Sequence, residues 1–392
     1  MPATAPKTAG CPACGHATTH LLDWEYSGLG DSVFNYTAHF HACPCCGMVY
    51  VDNIDDRTLA RFYADECSYF DKPHFSVEAP ANREKYTFYA SVLRERGVTG
   101  ADMADVGCGR GGFVNWLAAG GWRGRCCGID VDTRSLCGTA GLPDNVSFRN
   151  GDALNLPFVD ESLDLVTAFH VLEHLRDLHG VLAEAARVLR PGGRLLIEVP
   201  DAERYATLPV GTAFWFSIRE HINHFTARAL RAALASCGLR VEHVSRQVLP
   251  TPEFSYPSLM VMATKGPGGA AGDEAGDETA PGDVAAFALA SHRELRRQAE
   301  AIAALARDEP LAVWGCSAEL FSLLPLLDAA RVRLCDSSGL KQTARYKGLP
   351  VQPPAALPIE GRLVVAPYLH ARAIEAAALK LGWPAEAVHV LR

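Results

Sequence analysis

No run in the 392 residues approaches the ~20 consecutive apolar side chains that a membrane-spanning helix needs. The first positions, Met1 to Gly10, are rich in Ala, Thr and Pro and lack the basic-then-apolar layout of a secretory leader. Both absences predict a cytoplasmic protein without a membrane partner, in a compartment that keeps thiols reduced. Basic charge is in short supply as well: 37 Lys and Arg face 45 Asp and Glu, a formal net charge of −8. Such a chain has no general field to hold a polyanion. Residues 11–56 contain no Lys or Arg, and no Asn-Pro-Pro-Tyr-type base-flipping motif occurs anywhere. Nucleic-acid modification is therefore only a remote alternative, and the expected partner is a small molecule. No C-x-x-x-C-x-x-C cluster is present either, which disfavours radical chemistry.

What is there is ample apolar material, 48% of residues against 21% charged, over a length that predicts two or three domains. Thirteen cysteines are many for such a chain. Cys11-Pro-Ala-Cys14-Gly and Cys43-Pro-Cys-Cys46-Gly are paired C-x-x-C knuckles, each closed by glycine. Together Cys11, Cys14, Cys43 and Cys46 supply the soft ligands of a closed tetrahedral zinc site, with Cys45 as a substitute ligand. A redox pair would need only one such motif. Apolar clusters between the knuckles (Leu21, Leu22, Trp24, Val33, Phe34, Tyr36, Phe40) predict a β-hairpin ribbon. Residues 57–96 then turn helical around an irregular stretch, Cys67–Pro80. Its Tyr69, Phe70, His74 and Phe75 fit either a lid over a pocket or packing for the ribbon.

The segment Met103-Ala-Asp-Val-Gly-Cys-Gly-Arg-Gly-Gly112 reads as a strand, a glycine turn and a helix from Phe113 to Ala119. Gly107, Gly109 and Gly111 let backbone approach a ligand with no Cβ in the way. Taken alone, that turn also fits a dinucleotide site. Acids stand around it: Asp105 just before, Asp130 at the end of a second strand (Arg125–Ile129), and Asp152 in Asn150-Gly-Asp-Ala. An acid ending the second strand suits two ribose hydroxyls. A buried strand at Leu163–Phe169, a helix at Leu178–Leu189 closed by Arg190-Pro-Gly-Gly193, and a strand at Arg194–Val199 complete an alternating pattern. Alternation of this kind predicts an α/β fold with a doubly wound parallel sheet and ligands at the strands' C-terminal ends.

These motifs in combination resemble the class I S-adenosylmethionine (SAM)-dependent methyltransferases over about 150 residues. The resemblance implies that Gly107, Gly109 and Gly111 line the methionine and ribose portions of SAM. It further implies that Asp130 holds the ribose hydroxyls and Asp152 meets the adenine amino group. Asp105 belongs to the same cradle. His170, at the strand end, is grouped with the cofactor positions, its alternative being a residue satisfied by backbone.

Beyond the fifth strand comes an aromatic insertion, Phe214-Trp-Phe-Ser-Ile-Arg-Glu-His-Ile-Asn-His-Phe225, then a helix at Ala227–Cys237 and strands near Leu239–Leu249 and Leu259–Ala263. Lys265–Asp283 is a Gly/Ala/acidic/Pro linker. The remainder reads as a second βαβ unit whose turn, Gly315-Cys-Ser-Ala, is not a full dinucleotide fingerprint. The predicted organisation is a zinc ribbon (1–56), a methyltransferase domain (57–264), a linker (265–283) and a degenerate Rossmann-like domain (284–392). This layout resembles the deoxysugar C-methyltransferases of natural-product pathways, which act on nucleotide-linked keto-sugars.

By that resemblance His221 is a base, Glu220 its partner, and His174 a histidine near the reacting carbonyl. Where the sugar enzymes carry a tyrosine two positions before the Glu-His pair, this chain has Ile218. The alternative is O- or N-methylation of another natural-product intermediate. As metal ligands, His221 and His224 have only Glu220 near them in sequence to complete a set.

Overall fold

The computed structural model describes residues 10–66, 79–132, 142–208, 210–266, 283–307, 309–328 and 331–391. Tyr69, Phe70, His74 and Phe75, and the linker over 267–282, lie outside the described residues.

Among the described residues the central sheet has seven strands: β1 (Met103–Val106), β2 (Cys126–Asp130), β3 (Val146–Asn150), β4 (Leu163–Phe169), β5 (Leu189–Pro200), β6 (Leu239–Pro250) and β7 (Ser255–Lys265). Their order is β6-β7-β5-β4-β1-β2-β3. β1 to β5 run parallel, and β7 enters antiparallel between β5 and β6. β1 and most of β4 and β5 are buried, as continuous apolar strands must be when helices cover both faces. Arg190-Pro-Gly-Gly193 does not simply close the preceding helix, as the sequence suggests. The helix ends at Val188 and these residues lie within β5, whose register against β4 shifts between Leu163↔Leu189 and Leu165↔Arg194. The irregularity accommodates Pro191, which lacks a donor for a regular ladder.

The N-terminal ribbon pairs Thr19–Glu25 with Thr37–Ala42 and then with Val49–Val51, all antiparallel. Leu22, Trp24, Ala38 and Phe40 point inward at alternate positions. Its fourth strand comes from far along the chain: Asn223–His224, in the aromatic insertion, pairs with Val49–Tyr50. The sequence reading missed this, because two residues carry no periodicity.

Among the described residues the C-terminal sheet has six strands. Leu311–Trp314 is central and parallel to its neighbours Val332–Cys335 and Arg362–Val365. A short antiparallel hairpin, Arg345–Tyr346 with Leu349–Gln352, caps one edge around Lys347-Gly348, both at positive φ. The helix Val284–Leu305 crosses back over the other units. There His292 packs on Trp24 at 5.5 Å and the Ser291 hydroxyl donates to the Thr212 carbonyl at 2.7 Å.

A single cation ties these parts together. The Arg219 guanidinium lies 4.7 Å from the centre of the Phe34 ring and 4.9 Å from that of Phe321, so it is held between the ribbon and the C-terminal unit. Its Nη1 donates to the Ser27 carbonyl at 2.6 Å, while the Ser27 amide and hydroxyl both donate to the Phe321 carbonyl. Tyr26 donates to the Phe216 carbonyl beside it. A desolvated cation on an aromatic face is worth about 2 kcal/mol, and an orphaned buried carbonyl costs about 1–3. Arg219→Ala is therefore expected to lower the apparent melting temperature by roughly 5–10 °C, with Arg219→Lys recovering only part, as differential scanning fluorimetry would show.

Candidate functional site

β1 delivers the chain to a turn in which Gly107, Gly109 and Gly111 all have positive φ, at 69°, 54° and 71°. Gly111 caps the helix Gly112–Ala119. A Cβ at Gly107 would collide with Val171, and one at Gly111 with the Phe148 ring. At Gly109 the same Cβ would meet nothing within 4 Å among the described residues, which leave that face of the turn open to a ligand. The turn is pinned to β2, with the Gly107 and Cys108 amides donating to the Ile129 carbonyl.

Asp130 ends β2 with Oδ2 accepting from the Gly109 amide at 2.8 Å and Oδ1 from the Asp132 amide at 2.9 Å. Burial pushes its pKa up despite both bonds. Asp105 is buried at the end of β1 and accepts from the Thr167 hydroxyl at 2.6 Å. Desolvation raises its pKa to about 7 against the help of Thr167, and Asp130 adds repulsion. Asp152 is exposed and accepts from the Leu154 amide.

After β4 the chain turns sharply at His170, whose φ is 55°. Val171 packs on Gly107, so the His170–His174 segment lies directly against the glycine turn. His170 reaches two buried carboxylates, Glu173 Oε1 at 2.8 Å and Glu198 Oε2 at 3.2 Å. Burial opposes a charged imidazole, yet Glu198 and Glu173 outweigh it and the His170 pKa is raised. His174 donates from Nδ1 to the Glu220 carbonyl at 3.0 Å, and its ring meets His221 at 4.8 Å and Tyr63 at 6.1 Å. Burial, with His174, His170 and His224 nearby, holds the His221 pKa well below the ordinary histidine range.

His170, His174 and His221 thus come together, whereas His224 turns into the ribbon core. Its ring lies 4.3 Å from that of Phe216, tilted by 40°, and burial lowers its pKa to about 3. Glu220 meets the histidine group through its backbone carbonyl. The carboxylate facing His174 is Glu173, 3.8 Å from Nε2. Sequence reasoning assigned no role to Glu173 and passed over Glu198. The available signal was an acid inside the apolar run Leu195-Leu-Ile-Glu-Val199.

At the ribbon's far end the Sγ atoms of Cys11, Cys14, Cys43 and Cys46 lie within 4.8 Å of one another, with Cys11–Cys46 and Cys14–Cys43 each at 3.5 Å. Those separations fit ligands at ~2.3 Å around one tetrahedral ion. Cys45 instead groups with Cys14 and His16.

The raised Asp105 pKa has a stability consequence. The folded state holds a proton that the unfolded chain releases near pH 4, so stability is lost as pH climbs toward the folded pKa, by about 4 kcal/mol once deprotonation is complete. Melting curves are expected to show wild type losing more stability than Asp105→Asn between about pH 5 and about pH 8.

A family model described as "Methyltransferase domain" matches residues 81–244. Methyltransferase GfsG of Streptomyces halstedii is 34% identical over 186 residues, covering 42% of this chain and 62% of that protein. The 27-O-demethylrifamycin SV methyltransferase of Amycolatopsis mediterranei is 31% identical over 169 residues, covering 39% and 60%. The chain thus spans less than two thirds of these relatives. Among solved structures, an S-adenosylmethionine-dependent methyltransferase from Mesorhizobium loti aligns at 20% identity and TM-score 0.39, over 48% of this chain and all of that one. No described helix is long and apolar enough to cross a membrane. The sheet, its glycine turn and the family match together identify a class I SAM-dependent methyltransferase domain at the centre of this chain.

Proposed function

We propose that this protein transfers the methyl group of SAM to a small polar metabolite whose acidic proton is removed beside His174 and His221. The observation that carries the reading is the seat of Val171 on Gly107, which sets the histidine segment against the cofactor turn. In this reading the backbone of Gly107, Gly109 and Gly111 faces the methionine and ribose portions. Asp130 keeps a lone pair on each oxygen for the ribose hydroxyls. Asp152, being exposed, is free to meet the adenine amino group, and Asp105 and His170 shape the inner wall. When bound, SAM supplies a methyl already activated by its sulfonium, so the protein's task is to position and deprotonate the acceptor.

His221 suits that task because burial keeps its imidazole neutral, with a lone pair available. The acceptor proton passes to that lone pair as the acceptor's electron pair closes on the methyl carbon and the carbon–sulfur pair stays with sulfur. The ribbon, the insertion and the C-terminal unit, in the order seen in sugar C-methyltransferases, favour a nucleotide-linked keto-sugar methylated at carbon. O- or N-methylation of another natural-product intermediate is the second reading. It draws on the name of the rifamycin relative and on Ile218, which offers an enolate no phenol.

The test is hydrogen exchange in deuterium oxide with S-adenosylhomocysteine and a panel of nucleotide-linked keto-sugars, followed by NMR at the carbon beside the ketone. Exchange in wild type that falls about 100-fold or more in His221→Ala is the expected result. No exchange by protein that binds S-adenosylhomocysteine would turn the assignment to a hydroxyl or amine acceptor.

Cys11, Cys14, Cys43 and Cys46 would hold a structural zinc, since four thiolates leave no position for substrate. One zinc per chain is expected from metal analysis of purified protein, with Cys11→Ser or Cys46→Ser losing the metal and melting at lower temperature.

A further inference from the structure

The sequence set no metal beside the catalytic histidines, because only Glu220 stood near them. Folding supplies a different carboxylate. Glu173, His174 and His221 present ligand atoms within 4.8 Å of one another, brought together by the turn after β4 and the aromatic insertion. Three features make this more than an encounter of polar groups.

The Glu173 side chain is fully buried, with Oε1 taken by His170 and Oε2 without a partner among the described residues. The His221 Nδ1 is likewise buried and unpartnered there. His174 donates from Nδ1 to the Glu220 carbonyl, which fixes its tautomer and leaves the Nε2 lone pair turned toward Glu173. A backbone carbonyl behind a ligating imidazole, and a hydrogen-bonded carboxylate beside it, are the usual outer supports of a metal ligand. Buried acceptors are seldom left unmatched, and a shared cation would satisfy two of them at once.

We propose that Glu173, His174 and His221 bind one divalent first-row transition-metal ion, and that an oxygen of the acceptor completes its coordination. One carboxylate and two imidazole nitrogens suit such an ion and leave positions open, unlike the closed thiolate site in the ribbon. The inference rests on the functional reading above and specifies it. The ion would take the place of direct proton capture by His221: His174 and His221 would hold it through their lone pairs, and it would hold the acceptor oxygen and lower the pKa of the neighbouring proton, which passes to solvent water. The substrate class follows: an acceptor with a ketone or hydroxyl oxygen at, or next to, the atom that is methylated.

The test uses the full-length, zinc-loaded protein titrated with Co2+ alone and followed by visible absorption and metal analysis, with calorimetric S-adenosylhomocysteine binding measured on every sample. The expected result is one cobalt per chain with zinc retained and no thiolate charge-transfer band. Cobalt binding should weaken more than tenfold in His221→Ala, which breaks no Nδ1 hydrogen bond, and in Glu173→Gln. S-adenosylhomocysteine binding in either variant shows that it is folded. Wild type that binds S-adenosylhomocysteine but takes up no cobalt beyond its zinc overturns the metal site and leaves the methyltransferase reading intact. Equal cobalt binding by wild type and both variants also overturns it. Cobalt uptake that the variants lose, in protein that fails to bind S-adenosylhomocysteine, supports the metal site and counts against the methyltransferase reading.

Discussion

The arrangement of the site depends on a missing side chain. At Gly107 the backbone has φ of 69° and Val171 occupies the space where a Cβ would be. That contact brings the loop after β4 down on the loop after β1, two parallel neighbours whose C-terminal ends open side by side. The proposed cofactor and acceptor residues then share one edge of the sheet: the glycine turn, Asp105 and Asp130 on one side, His170 to His174 on the other. Parallel α/β sheets gather function at that edge because every strand reaches it with a loop free to vary.

Holding polar groups there is expensive, and the structure shows how the expense is divided. Glu173 and Glu198 are fully buried acids, and one imidazole, His170, bridges them. Tyr89 donates to the oxygen of Glu198 that His170 also reaches. For Glu173 burial pushes the pKa up, but His170, with His174 and a backbone hydrogen bond, outweighs it and the pKa is lowered; for Asp105, which has only a threonine hydroxyl, burial wins. The difference is whether a cation stands within hydrogen-bond reach, since neutral donors rarely offset complete desolvation of a carboxylate.

Strand and helix alternation, the glycine turn and the acids around it were legible in the sequence because each is local: a strand, its turn and its acid lie within a few residues. The thiolate knuckles were legible for the same reason. Glu198 and the Glu173–His221 encounter were not, because they depend on which distant segments the fold stacks together. The insertion is the clearest case. Its histidines look equivalent in sequence, but pairing of Asn223–His224 with Val49–Tyr50 commits His224 to the ribbon core and leaves His221 at the site. The positive φ of His170 was equally hidden, since sequence patterns mark such turns mainly by glycine.

That same pairing couples the thiolate cluster to the aromatic insertion. Thr226 caps the helix Ala227–Ser236 by accepting from the Ala229 amide, and its hydroxyl donates to the Cys46 carbonyl at 2.6 Å. Arg228 reaches the carbonyl of Cys45. The knuckle that carries Cys46 therefore abuts the segment that begins at His221, with Ile222 to Phe225 all buried between them. On the other flank Arg219 is clamped by Phe34 and Phe321, two positions before His221. The insertion is thus fixed at both ends by residues of other units and is short in between. A ribbon that lost its shape would release one end, and a C-terminal unit that undocked would release the other. The histidine's position is consequently a property of the whole chain, which gives the two flanking units a physical reason to accompany a methyltransferase sheet that is already complete.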